Sequence, residues 1–171
     1  MSIGEDFRFN AATFDIYSAL TAGIWRLGIV AHHSTGLRRL VLRVVYAVAN
    51  NIWTKAIIGS DLSPSVTLGR RVSLPHGGRG VFVSDGVTIG DDCTIHQQVC
   101  IGMTLGKDGA PTIGDRVYLG VKASVLGPVA VGADSTVGAH ALVIHDVPER
   151  CTAAGVPAQS KQKPVQHHSL S

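Results

Sequence analysis

Among the side chains that can move a proton or hold a metal, one constellation stands out by its spacing. It is His76, in the run Leu74-Pro75-His76-Gly77-Gly78, with a carboxylate fifteen residues earlier at Asp61. Neutral imidazole near pH 7 can take a proton from a hydroxyl as its oxygen attacks, and a neighbouring carboxylate can select the tautomer and steady the imidazolium. The same residues allow a plainer account, in which a histidine between proline and glycines sits in a surface loop and Asp61 caps a turn. Cys93, Cys100 and Cys151 are an odd number without CxxC spacing, so neither a disulfide framework nor a zinc site is indicated, and a reducing cytoplasm suits them. Cys93 falls at a core position and Cys100 one step from an inward site, so neither is read as a nucleophile.

Whatever holds His76 must be built from aliphatic residues on a backbone that turns often. Glycine occurs 20 times, aromatic residues make up 5% of the chain, and hydrophobic residues make up 45%. From residue 62 onward the sequence has a period of six. Val83, Ile89, Ile95, Ile101, Ile113, Leu119, Val125, Val131, Val137 and Val143 share one register, and only Lys107 breaks it. Leu62, Leu68 and Leu74 keep the same step, but three extra residues before Val83 shift the phase, so something is inserted around His76. Glycine follows the aliphatic at 90, 102, 114, 120, 132 and 138, where a tight corner is expected. Four places after the aliphatic stand small or apolar residues such as Val87, Cys93, Val99, Leu105, Val117 and Ala123, suited to a second inward site. Two inward residues per six, with a turn after each short strand, stack into a three-sided parallel β-helix whose coils are about 4.8 Å apart.

Ahead of the repeat, Phe14, Tyr17, Leu20, Ile24, Leu27 and Ala31 recur at helical spacing. After Ser34-Thr35-Gly36 the period resumes through Leu37, Leu40, Val41, Val44, Val45, Val48 and Ile52, with Arg38, Arg39 and Arg43 off the stripe. A helical hairpin is expected. Its second helix is far shorter in apolar length than the roughly 20 residues that span a bilayer, but it is compatible with contact at a membrane surface. The expected organisation is a helical region over 1–57, a β-helix over 58–150 and a closing segment over 151–171. A net charge of +3 without clustered Lys and Arg argues against nucleic acid. The first thirty residues lack the apolar run and cleavage site of a secretory signal, so a cytoplasmic location is expected, extending to the inner membrane face if the second helix makes contact.

The pairs Leu68-Gly69, Ile89-Gly90, Ile101-Gly102, Ile113-Gly114, Leu119-Gly120, Val131-Gly132 and Val137-Gly138 resemble those of the hexapeptide-repeat acyltransferases. That resemblance implies a left-handed β-helix. Residues 58–164 are similar to the serine O-acetyltransferase family through Asp61, Pro64, Leu68-Gly69-Arg70, His76, Gln97, Ile101-Gly102 and Thr104. The match continues in the closing run from Thr152 to Ala158 and in Lys163-Pro164. The resemblance implies that His76 is the general base, Asp61 the carboxylate that orients it, and acetyl-CoA the donor. It also implies that Gly102, Thr104, Val121 and Ala139 line the pantetheine arm, with Gly155, Pro157 and Lys163 near the nucleotide end. No metal is implied. Three prisms side by side would bury flat faces and share clefts, so a homotrimer with sites between subunits is expected.

The pattern departs from serine acetyltransferases at the acceptor. Pro75 stands where those enzymes place an aspartate that contacts serine, and Gly109-Ala110 stand where an arginine and a histidine hold its carboxylate. The helical region is also shorter and the chain ends Ser169-Leu170-Ser171 without the isoleucine used for docking, a layout that looks more like the acetyltransferases of exopolysaccharide and colanic-acid synthesis. The expected acceptor is therefore a saccharide hydroxyl, on a nucleotide-linked or lipid-linked sugar, with L-serine as the alternative. Two rivals are weighed. One is a metal-dependent lyase of γ-carbonic-anhydrase type using His140 and His145, which lacks a third histidine near Thr104. The other is a non-catalytic β-helical scaffold.

Overall fold

The computed structural model describes residues 3–13 and 15–163. Three helices come first: α1 Ile3–Thr13, α2 Ile16–His33 and α3 Gly36–Ala49, the last running into π-helical turns over Asn50–Ile58. The strands that follow are β1 Asp61–Leu62, β2 Thr67–Leu68, β3 Phe82–Val83, β4 Thr88–Ile89, β5 Thr94–Ile95, β6 Cys100–Gly102 and β7 Thr112–Ile113. They continue as β8 Tyr118–Leu119, β9 Ser124–Leu126, β10 Ala130–Val131, β11 Thr136–Val137, β12 Leu142–Val143, β13 Cys151–Gly155 and β14 Ala158–Gln162.

These strands build three faces. The first is β1-β3-β6-β9-β12, the second β2-β4-β7-β10, and the third β5-β8-β11-β13 with β14 added antiparallel at its end. The chain visits the faces in rotation and every other pairing is parallel, which is the β-helix the hexad implied. The aliphatics of the main register and the residues four places after them fill the core from Leu62 to Ala153. The helical region gives way to strand between Ile58 and Asp61, and the closing segment starts with β13, which pairs with β11 and so extends the third face.

Three coils depart from eighteen residues, the last of them short, with Val137 paired to Ala153 only sixteen residues on. Leu62 pairs with Val83 and Leu68 with Ile89, twenty-one residues on, and the extra residues form the turn Pro75–Gly78. Ile95 pairs with Leu119 and Ile101 with Val125, twenty-four residues on, because a whole hexad after Gly102 leaves the wall as a loop. Lys107 breaks the register because it lies on that loop. Leu105, expected inside, is fully exposed for the same reason.

The corners also differ from expectation. Left-handed backbone falls three places after the aliphatic, at Asp92, Gln98, Arg116, Lys122, Asp134 and His140, with φ between 55° and 62°. Most of the glycines answer to coil spacing instead: a Cβ on Gly69 would lie 2.3 Å from the Gly90 carbonyl carbon, and one on Gly90 would lie 2.7 Å from the Asp115 nitrogen, whereas Gly102 and Gly138 have room for one. The edge from second to third face carries Arg-Asp pairs, Arg71 to Asp92 at 2.6 Å and Arg116 to Asp134 at 2.7 Å. The arginine hydrogen bonds hold both carboxyls below the usual carboxylate range.

The expected hairpin is α2 with α3, but α2 buries a different face. Ser18, Ala19, Ala22, Trp25, Arg26 and Ile29 are buried; of the expected stripe Ala31 is buried and Ile24 and Leu27 half-buried, whereas Tyr17 and Leu20 are exposed and Phe14 lies outside the described residues. The reason is what α2 covers. It lies across the open end of the β-helix, where backbone carbonyls of the first coil need donors. The Trp25 indole donates to the Ser63 carbonyl at 2.7 Å, and the buried Arg26 guanidinium donates to the carbonyls of Leu68, at 2.8 Å, and Gly69. Small residues let the helix approach, and Ala22, Trp25 and Ile29 join Leu62, Val66 and Leu68 in the core.

Candidate active site

His76 stands in the turn Pro75–Gly78, at the edge where the third face passes to the first. Its backbone is left-handed (φ 58°, ψ 32°), as are Gly77 (φ 74°) and Gly78 (φ 67°). A non-glycine residue in that region costs roughly 1–2 kcal/mol, and such strain persists only where the surroundings impose it. Here they do. Leu74 and Pro75 are buried, the Asn10 amide donates to the Val72 carbonyl at 3.0 Å, and the Leu74 N–H donates to Asn10 Oδ1 at 3.1 Å. On the far side, the Gly77 N–H donates to the buried Ser18 hydroxyl at 3.1 Å, and the Ser60 hydroxyl donates to the Gly78 carbonyl at 2.6 Å. The imidazole is left exposed on a rigid support.

The value of that support can be tested at Asn10. Asn10→Leu leaves a buried carbonyl and a buried N–H without these partners, each costing about 1–3 kcal/mol. Thermal melting should show a drop of several degrees, and any acyl-transfer activity should fall further than the small unfolded fraction explains.

Two aromatic groups that sequence reasoning passed over stand in line here, His96 near His76 and Tyr118 beyond it. The His96 ring centroid is 6.4 Å from that of His76, and the Tyr118 ring, 42% exposed, is 4.9 Å from that of His96. The signal lay in the insertion: a twenty-one-residue coil sets Ser73 opposite Thr94, which brings the turn after Ser73 against the one after Ile95. Gln97, one place on, has a buried side-chain oxygen without a hydrogen-bond partner among the described residues. Asn10 and Ser18 were missed because the hydrogen bonds they make span 59 to 64 residues.

Asp61 opens β1 and is exposed next to this edge. Its carboxylate lies 3.5 Å from the Lys55 ammonium, and no hydrogen bond joins it to His76. It also lines a shallow cleft of about 290 Å³ with Ser63, Ser84, Asp85 and Met103. Hydrogen bonds from Ser63 and then Ser65 hold the Asp85 carboxyl below the usual range. Thus the two residues expected to act together are neighbours on adjoining elements without direct contact.

The residues expected along the coenzyme divide among three edges. Val121, Ala139, Gly155 and Pro157 stack along the edge that carries His76, with the His140 N–H donating to the Val121 carbonyl at 2.9 Å. They lie at successive levels of that edge, between the turn that carries His76 and the β13–β14 turn. Gly102 and Thr104 sit at the first-to-second edge, beside Gly127. Lys163 sits at the second-to-third edge, its ammonium donating to the Asp134 carbonyl at 2.6 Å. Basic side chains that do share the edge of His76 include the exposed Arg79, Lys122 and His140, besides the half-buried His96.

The cysteines stay outside this chemistry. Burial pushes the Cys93 thiol up to about 11 and raises that of Cys100. Among the described residues no cluster of three or more His, Cys, Asp or Glu could hold a metal ion.

Comparison with known proteins agrees with the repeat. A family model described as the hexapeptide repeat of succinyl-transferase matches residues 112–141. A serine acetyltransferase of Mycobacterium tuberculosis is 39% identical over 109 residues, 63% of this chain and 47% of the relative. Soybean serine acetyltransferase, solved in complex with serine, superposes with a TM-score of 0.74 at 27% identity, covering 94% of this chain and 68% of that one. The Brucella abortus serine acetyltransferase solved with coenzyme A superposes with a TM-score of 0.75 over 94% of this chain and 66% of that one; at 23% identity it speaks for the fold alone. The chain spans about half to just under two thirds of the length of the curated relatives it matches.

Proposed function

We propose that this chain, with its hexapeptide repeat and its likeness to serine acetyltransferases, is an acetyl-CoA-dependent O-acetyltransferase of the serine acetyltransferase type in the hexapeptide-repeat acyltransferase family, with His76 as general base. The observation that carries this reading is the doubly anchored, left-handed turn that presents an exposed imidazole on the same edge as Val121, Ala139 and Gly155. An acceptor hydroxyl attacks the thioester carbonyl while His76 takes its proton; collapse expels the coenzyme A thiolate, which recovers that proton. Acetyl-CoA supplies the activated acyl group, and the chain binds and aligns it. Asp61 orients the imidazole once it exchanges Lys55 for His76. Lys163, already engaged on another edge, takes no part along this one.

Gly102 and Thr104 come near the His76 edge only if a second copy presents its first-to-second edge to it. Three copies related by a threefold axis satisfy this for every site, so the active form is proposed to be a homotrimer.

For the acceptor, the relatives favour L-serine over the saccharide expected from sequence, since the named relatives and neighbours are serine acetyltransferases. One observation supports a saccharide as the second reading. Pro75 is buried and uncharged, and Gly109 and the partly buried Ala110 are uncharged too, so at these positions nothing pairs with an amino-acid zwitterion; the charges of that loop are the exposed Lys107 and Asp108. An acceptor screen that follows free thiol from acetyl-CoA decides between them. Turnover with L-serine is the expected result. Turnover with nucleotide sugars or oligosaccharides alone would transfer the assignment to the second reading, and thiol release with neither would leave the scaffold account standing.

A further inference from the structure

We propose that the outer face of α3 is a docking surface for an anionic phospholipid bilayer, a property separate from the acyl-transfer reading. No residue of α3 is buried, although the helix is rich in large aliphatics. Leu42, Tyr46 and Ala49 turn towards the fold and are partly covered, while Leu37, Leu40, Val41, Val44 and Val48 are each more than half exposed. At 100° per residue these five fall on one side of the helix, opposite the face that packs. A 14-residue helix is about 21 Å long, and no described helix is long and apolar enough to cross a membrane, so α3 can lie along a surface only.

Charge selects the occupant. Arg38, Arg39 and Arg43 are exposed on α3 and make no ion pair with any described residue, and no aspartate or glutamate occurs between Asp15 and Asp61. Arg38 and Arg43 flank this face and Arg39 lies farther round, so packing it against the same face of a second copy would rim the seam with like charges and no carboxylate on either helix to offset them. An anionic lipid surface instead takes the aliphatics into its acyl boundary and the guanidinium groups among its phosphates. A cleft of about 270 Å³ between α2 and α3, lined by Arg43 and His32 beside Ala31, Tyr46 and Ala47, adds a site where a phosphate and the first carbons below it would fit.

The test is co-sedimentation of the full chain with vesicles of phosphatidylcholine alone and with vesicles in which about one lipid in three is phosphatidylglycerol. Three basic groups near such a surface should raise partitioning by about 10²-fold over the neutral vesicles, and high salt should reverse most of that gain. Val44→Glu and the double variant Arg38→Gln, Arg39→Gln should each lose vesicle binding while melting temperature and oligomer mass stay as in the parent chain. Failure of the parent chain to sediment with the anionic vesicles would overturn the proposal. A Val44→Glu chain whose oligomer mass falls would also overturn it, since the face would then be a contact between copies.

Discussion

His76→Ala is expected to lower turnover with the preferred acceptor by at least about 10²-fold, the usual worth of general-base help. The side chain is exposed and makes no hydrogen bond within the described structure, so its removal should leave melting temperature and oligomer mass unchanged. The loss should appear in kcat, with the KM for acetyl-CoA nearly retained, because the imidazole acts on the acceptor proton and the coenzyme lies beyond it along that edge. Asp61→Asn should lower kcat less. The double variant should be no slower than His76→Ala alone, since an orienting carboxylate has no role once the imidazole is gone. An unchanged rate in His76→Ala would remove the imidazole from the mechanism.

Gly69→Ala should be among the most damaging single substitutions to the fold. The added Cβ would lie 2.3 Å from the carbonyl carbon of Gly90, 2.4 Å from its oxygen and 2.5 Å from the Asp115-facing neighbour Asp91 nitrogen, all backbone atoms of the next coil. No rotamer change relieves such a contact. Relief requires the coils to part, and the Gly69 N–H to Ile89 carbonyl hydrogen bond at 2.7 Å opposes that. Overpacking of this kind costs about 3 kcal/mol or more. For a chain of this size, the melting temperature should fall by about 6–12 °C. The control is Gly59→Ala: its positive φ of 72° leaves strain, but nothing lies within 4 Å of the added methyl, so a smaller loss is expected.

The wall of the β-helix was legible in the sequence because each inward aliphatic meets others six residues away, and a period that short survives without knowledge of the tertiary fold. The insertion at His76 was legible as a phase shift between Leu74 and Val83. The second insertion was not, because a looped-out hexad keeps the phase: Lys107 looked like one failed slot, and Leu105 looked inward. The glycines were read as corners, whereas stacking distance selects Gly69, Gly90, Gly114, Gly120 and Gly132, a relation between coils that no local pattern displays. The buried face of α2 was misread because hydrogen bonds from Trp25 and Arg26 to coil carbonyls, more than thirty residues away, decide it. At the site, the positions of His76 and Asp61 could be marked in advance, but the anchors Asn10 and Ser18, the neighbours His96 and Tyr118, and the scatter of Gly102, Thr104 and Lys163 over other edges required the three-dimensional arrangement.

The most direct test of the account is a crystal structure of the chain with coenzyme A bound. The account places the thiol within hydrogen-bonding reach of the His76 ring, the arm along Val121 and Ala139, and Thr104 of a second copy against its other side. Coenzyme A bound away from His76, or held wholly within one copy with the imidazole facing open solvent, would contradict it.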